Sequence, residues 1–171
     1  MNTDADGFLE PLRQRLPDLA GARAVILGAG GAARGVGLAL RLEGAHVAIS
    51  ARRPDAAQLV AHAIGAEVAP WPPVPGSWDL LVNATPVGSG ALRSETPFAG
   101  PFDGRLVYDL IYDPAPTSLM RAATSAGCEA IGGLEMLVAQ AERQFEIWTG
   151  RRPDAGLFAE AASRAMRARS V

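Results

Sequence analysis

Four apolar residues in a row, Ala24-Val25-Ile26-Leu27, stop at Gly28, and the turn Gly28-Ala29-Gly30-Gly31-Ala32-Ala33 leads straight into a helical pattern. An unbroken apolar run is what a strand buried on both faces of a parallel sheet requires. A glycine turn between such a strand and a helix matches G-x-G-x-x-G/A, with Ala33 in the third place. Each part has a physical role. Gly28 makes the tight turn, Gly30 lets backbone approach a pyrophosphate, and the free amides opening the helix meet its charge. Without a nucleotide, the same letters would be only a glycine-rich turn in an α/β protein. Strand before and helix after favour the dinucleotide reading.

The rest of the chain repeats that alternation. Phe8, Leu9, Leu12 and Leu16 have helical spacing over Gly7 to Leu16, with Pro11 expected in the first turn. Helices are predicted from Ala32 to Glu43, Pro54 to Ile64, Thr117 to Ala126, Leu134 to Thr149 and Ala155 to Ala168. Strands are expected at His46–Ser50, briefly at Glu67-Val68, at Leu80–Asn83 and at Leu106–Asp109. The prolines between Ala69 and Gly76 mark a surface connection. Parallel strands joined by helical crossovers give a doubly wound α/β sheet with helices on both faces, a Rossmann-type fold. The 171 residues are read as one dinucleotide-binding domain, with 1–20 a leading helix and 151–171 a terminal helix.

Composition narrows the partners. Sixteen basic against 18 acidic residues leave a net charge of −2, so bulk charge recruits neither nucleic acid nor an anionic membrane. Arg164, Arg167 and Arg169 read as a solvated helix face. The single cysteine, Cys128, excludes an internal disulfide and reads as a small buried hydrophobe. An acidic, polar start and the lack of an apolar stretch of about 18 residues lead us to expect a cytoplasmic protein. Every basic residue is an arginine; the chain has no lysine.

Cofactor choice falls at the end of the second strand, where a carboxylate would grip the free ribose hydroxyls of NAD. Ser50-Ala51-Arg52-Arg53 instead offers two guanidiniums, which suit a 2′-phosphate by charge and forked hydrogen bonding. The expected cofactor is NADP. Two exposed arginines in an ordinary loop are the plainer alternative.

Several segments in order carry a more specific resemblance. Asn2-Thr3-Asp4, Gly28 to Ala32, Asn83-Ala84-Thr85-Pro86-Val87-Gly88, Asp109-Leu110-Ile111-Tyr112-Asp113-Pro114, Gly133 to Gln140 and Phe145 to Gly150 together resemble the shikimate dehydrogenase family. That family's two-domain enzymes place a substrate domain ahead of the dinucleotide-binding domain. The resemblance implies that Gly28, Ala29, Gly30, Gly31 and Ala32 hold pyrophosphate and that Arg52 and Arg53 hold the 2′-phosphate. It further implies that Thr85, Leu110, Gly133 and Met136 contact the cofactor, with Leu110, Gly133 and Met136 at the nicotinamide end. Tyr112 and Gln140 would contact shikimate, and Asp4 would be the catalytic acid that works beside a lysine. Read alone, Tyr112 is a core-edge aromatic, Gln140 a polar residue on a helix face, and Asp4 an N-cap of the first helix.

The sequence also departs from the family. Ala51 replaces the asparagine that usually starts the NADP loop, Ala56 replaces a later basic residue, and Ala5 stands where a glycine usually follows the aspartate. With no lysine, Asp4 has no such partner in cis. The resemblance implies NADPH-dependent reduction of 3-dehydroshikimate when a separate or upstream substrate domain completes the site, with little turnover by this chain alone. The alternatives are a stand-alone NADP-binding or sensing module, a quinate or shikimate dehydrogenase relative, and, more distantly, another NADP oxidoreductase.

Overall fold

The computed structural model describes residues 3–169; Asn2 of the first matched segment lies outside them. Six strands form one all-parallel sheet: β1 (Arg23–Leu27), β2 (His46–Ser50), β3 (Glu67–Ala69), β4 (Leu80–Asn83), β5 (Leu106–Asp109) and β6 (Glu129–Gly132). Their order is β3-β2-β1-β4-β5-β6. The chain therefore builds outward from β1, returns past it and builds outward the other way. Where the direction reverses, between β1 and β4, the carboxyl ends of two adjacent strands diverge into a crevice.

Alternation along each strand divides the interior in two. Ala24 and Ile26 of β1, Leu80 and Val82 of β4, and Leu106 and Tyr108 of β5 point to one face. That face is covered by α1 (Thr3–Arg15), α2 (Gly31–Leu42) and α3 (Pro54–Ile64). Val25, Leu27, Leu81 and Val107 point to the other, covered by α4 (Ser118–Ser125) and by Trp78, Phe98 and Phe102 from the long connections. Because all six strands are short and central runs are apolar on both faces, periodicity alone gives burial without saying which helix covers it.

The last two helices, α5 (Gly133–Thr149) and α6 (Leu157–Arg169), stack through Phe145 and Phe158, whose ring centroids are 5.8 Å apart. Helix α5 also packs along α1, where Gly7 sits against Gln140 so closely that a Cβ on residue 7 would collide with the Gln140 side chain. Two expectations need correction here. Helix α1 starts four residues earlier than its apolar spacing indicated, so Pro11 lies in its interior and Asp4 in its first turn, not at its N-cap. Packing against α5 carries the helix through the proline, and the Pro11 carbonyl accepts from the Arg15 guanidinium at 3.2 Å. The third strand also reaches Ala69, which pairs in register with Ser50 and so belongs to the sheet, not to the proline loop.

Candidate functional site

At the carboxyl edge, β1 is followed by Gly28 with φ of +107°, a conformation glycine adopts without strain. Its amide donates to the Ser50 carbonyl at 2.8 Å, tying the turn to the end of β2. A Cβ at Gly28 would lie 3.0 Å from the Ala84 carbonyl oxygen. Gly30 differs: its φ is −102°, and a Cβ there would meet nothing within 4 Å. The first glycine serves the fold, whereas the second leaves open space beside backbone amides.

Helix α2 begins at Gly31 with no side-chain cap on Gly30 and no acid in its first turn. Its positive end is thus left for something outside the chain. Helix α5 is treated otherwise: Glu135 in its first turn accepts from the Gly132 amide and is paired with Arg15.

Gly28, Ala29 and Gly30 form one end of a cleft of about 600 Å³ whose walls include Arg52, Arg53, Trp71, Thr85, Pro86 and Val87. Arg52 and Arg53 are exposed and enter no ion pair with a described residue, in contrast to Arg13, Arg15, Arg23 and Arg143. Unpaired guanidiniums beside a cleft are available to an anion.

A second cleft, of about 450 Å³, opens on the other side of the α2 N-terminus. Gly31, Ala32, Leu110, Met136, Asp4 and Gln140 line it. The Gln140 side-chain amide donates to the Asp4 carboxylate at 3.0 Å across the α1–α5 contact. Gly31 and Ala32 face this cleft while Gly28 to Gly30 face the first, so one turn serves both. Gly133 is buried under Leu110, its amide donating to the Ile111 carbonyl at 3.1 Å. Tyr112 is 46% exposed and lines neither cleft.

Beneath the clefts lies a polar cluster to which the sequence reading gave no role. Asn83 ends β4 and Asp109 ends β5, both fully buried, and the Asn83 amide donates to Asp109 at 2.9 Å. The Ile111 amide donates to the same Asp109 oxygen at 3.1 Å, and the Thr117 hydroxyl donates to the other at 2.6 Å. Asn83 in turn accepts from the Thr85 amide and hydroxyl. Burial pushes the Asp109 carboxyl above its ordinary range, and the donors from Thr117, Ile111 and Asn83 oppose that shift. The cluster fixes the Ala84–Gly88 and Leu110–Thr117 turns, which carry Thr85 and Leu110. A visible signal was available: the apolar runs of β4 and β5 each ended on a short polar residue.

Comparisons with known proteins show what the chain is similar to. Residues 133–162 match the family described as "Shikimate 5'-dehydrogenase C-terminal domain". A shikimate dehydrogenase (NADP(+)) from Archaeoglobus fulgidus is 38% identical over 175 residues, covering 97% of this chain and 64% of that protein. Among solved structures, a shikimate 5-dehydrogenase from Thermus thermophilus in complex with NADP(H) and shikimate is 39% identical with a TM-score of 0.78. That match covers 96% of this chain and 62% of the other. A 5-ketofructose reductase of Gluconobacter, in ligand-free form, is 35% identical with a TM-score of 0.85, covering 96% and 63%. The chain thus spans about three fifths of the length of the relatives it matches.

Proposed function

Given that this chain belongs to the shikimate dehydrogenase family, we propose that it is the NADP-binding part of an enzyme that reduces 3-dehydroshikimate to shikimate. One observation carries the cofactor assignment: a phosphate-type glycine turn and two unpaired arginines line one cleft at the reversal point of the sheet. Pyrophosphate would sit on the amides of Gly28 to Ala32, with the 2′-phosphate on Arg52 and Arg53. Thr85 would bound the dinucleotide from the β4 side. Leu110 and Met136, facing the second cleft, would hold the nicotinamide end, with Gly133 setting the Leu110 backbone. The Gly30 surface fits such a group, since the space a Cβ would fill is empty.

When bound, NADPH supplies the hydride; this chain supplies orientation and part of the proton handling. Gln140 and Tyr112 would contact the substrate, and Asp4 would hold or move a proton at its reacting oxygen. Gln140 already fixes the Asp4 carboxylate by a hydrogen bond. No lysine occurs in these 171 residues, so a lysine partner for Asp4 must come from other residues. We propose that residues 1–171 act as one dinucleotide-binding unit and that α6 faces a companion substrate domain. The described residues contain no helix long and apolar enough to cross a membrane, and we propose a cytoplasmic setting on the chemistry of the reaction.

The test is NADPH formation from shikimate and NADP, by the chain alone and after adding a separately expressed substrate domain of the family. Little turnover alone and clear turnover with the added domain are expected, because two halves rebuild a cleft at their interface. Robust turnover by the chain alone would place all proton transfer on groups described here and would refute the need for a lysine-bearing partner.

A further inference from the structure

One wall of the first cleft is an indole. Trp71 stands just beyond β3, opposite Thr85 and Pro86 and on the same side as Arg52 and Arg53. It is half-buried and packed against the apolar cluster on the second face of the sheet, which limits its side-chain freedom. The approach to it is also fixed: the Ser50 hydroxyl donates to the Pro70 carbonyl at 2.6 Å, joining the end of β2 to the residue before Trp71. The end of β2 therefore leads into the two arginines and also anchors the approach to the tryptophan.

A dinucleotide whose 2′-phosphate rests on Arg52 and Arg53 carries its purine on that same ribose. The base must then lie within one sugar of the guanidiniums, in the cleft whose lining includes Trp71. We propose that Trp71 is the platform on which the adenine of the bound dinucleotide stacks, making it a binding residue for the base end of the cofactor. The inference rests on the NADP reading of the cleft. Stacking on an aromatic face is tolerant of base identity but demands a base, whereas the arginines demand a phosphate. The two contributions are separable by ligand.

Calorimetric titration of the whole chain with NADPH, 2′,5′-ADP and 5′-AMP tests the proposal. Trp71→Leu should weaken all three by about tenfold or more, and Trp71→Phe should recover most of the loss. Arg52→Ala should weaken NADPH and 2′,5′-ADP but leave 5′-AMP unchanged. Intrinsic fluorescence gives a readout independent of the stability of the leucine variant. Trp78 is 1% exposed and lies outside the cleft, so in Trp148→Phe the remaining responsive indole is Trp71. Its emission should fall on adding 2′,5′-ADP. Wild-type affinity retained in Trp71→Leu, or unchanged emission from Trp148→Phe while calorimetry registers 2′,5′-ADP binding, would overturn the Trp71 assignment and spare the NADP reading. Failure of the wild-type chain to bind NADPH would overturn both.

Discussion

Two polar groupings stand at the same edge of the sheet, and they are built in opposite ways. Asn83, Asp109 and Thr117 are fully buried, and both Asp109 carboxylate oxygens accept hydrogen bonds from named donors. Asp4 and Gln140 face a cleft, and the Asp4 carboxylate is exposed. A buried acid surrounded by donors holds turns in place, because removing it strands every donor at once. An exposed acid at the mouth of a cleft carries no such structural burden, and its loss costs the fold little. The acid that holds the turns and the acid that faces the cleft are therefore different residues.

The widest gap should appear in stability. Asp109→Ala leaves the Asn83 amide, the Thr117 hydroxyl and the Ile111 amide short of an acceptor, and should cost about 3 kcal/mol or more at roughly 1–3 kcal/mol for each stranded buried donor. Asp4→Ala should cost less than about 1 kcal/mol, as exposed substitutions generally do. Urea denaturation of both variants reads the difference. Similar losses would erase the distinction between scaffold and contact.

The two glycines of the phosphate turn sharpen the same contrast. Gly30→Val should keep the fold and abolish binding of NADPH and NADH, since the branched side chain enters the open space in which we propose the pyrophosphate sits. Gly28→Ala should lower stability, because it places a Cβ 3.0 Å from the Ala84 carbonyl oxygen at a positive φ. Circular dichroism and a cofactor titration separate the outcomes. A well-folded Gly30→Val that still binds would reduce the turn to a structural element.

How much of this was legible beforehand depended on the kind of signal. β1, β2, β4 and β5 stood out as apolar runs, and the phosphate turn and Arg52-Arg53 could be placed from their positions relative to those strands. The extent of α1 was not legible, because Pro11 argues locally against a helix interior and packing against α5 and the sheet face carries the helix through it. The Asn83–Asp109–Thr117 cluster joins residues up to 34 positions apart; periodicity carries no information about that pairing, although Asn83 and Asp109 fall inside matched family segments. Asp4 and Gln140 were named separately, and their mutual hydrogen bond across 136 positions emerged only from the packing of two helices.

The smallest expected effect is on pH dependence, where two carboxylates act in opposite directions. The Arg23 guanidinium holds Asp79 below its usual range, mainly through the side-chain hydrogen bond, so its stabilisation is present above the unfolded value near 3.9 and is lost as pH falls through the folded one. Asp109, raised by burial, binds its proton more tightly when folded; its contribution favours folding at low pH and is lost as pH rises from that unfolded value through the folded one. In urea midpoints between about pH 3 and 7, Asp79→Asn should flatten the acid limb, and Asp109→Asn should remove the opposing slope. The same slope in both variants would contradict the assigned burial of Asp109.

The central claim is that this edge of the sheet is built for a dinucleotide carrying a 2′-phosphate. Its most direct test is a calorimetric comparison of NADPH and NADH on the unmodified chain and on Arg52→Ala, at one fixed ionic strength. NADPH should bind the unmodified chain at least about tenfold more tightly than NADH. Arg52→Ala should lose about 1.5 to 3 kcal/mol toward NADPH, the range for a charged hydrogen bond, and almost nothing toward NADH. Equal affinities in the unmodified chain, or tighter binding of NADH, would contradict the account.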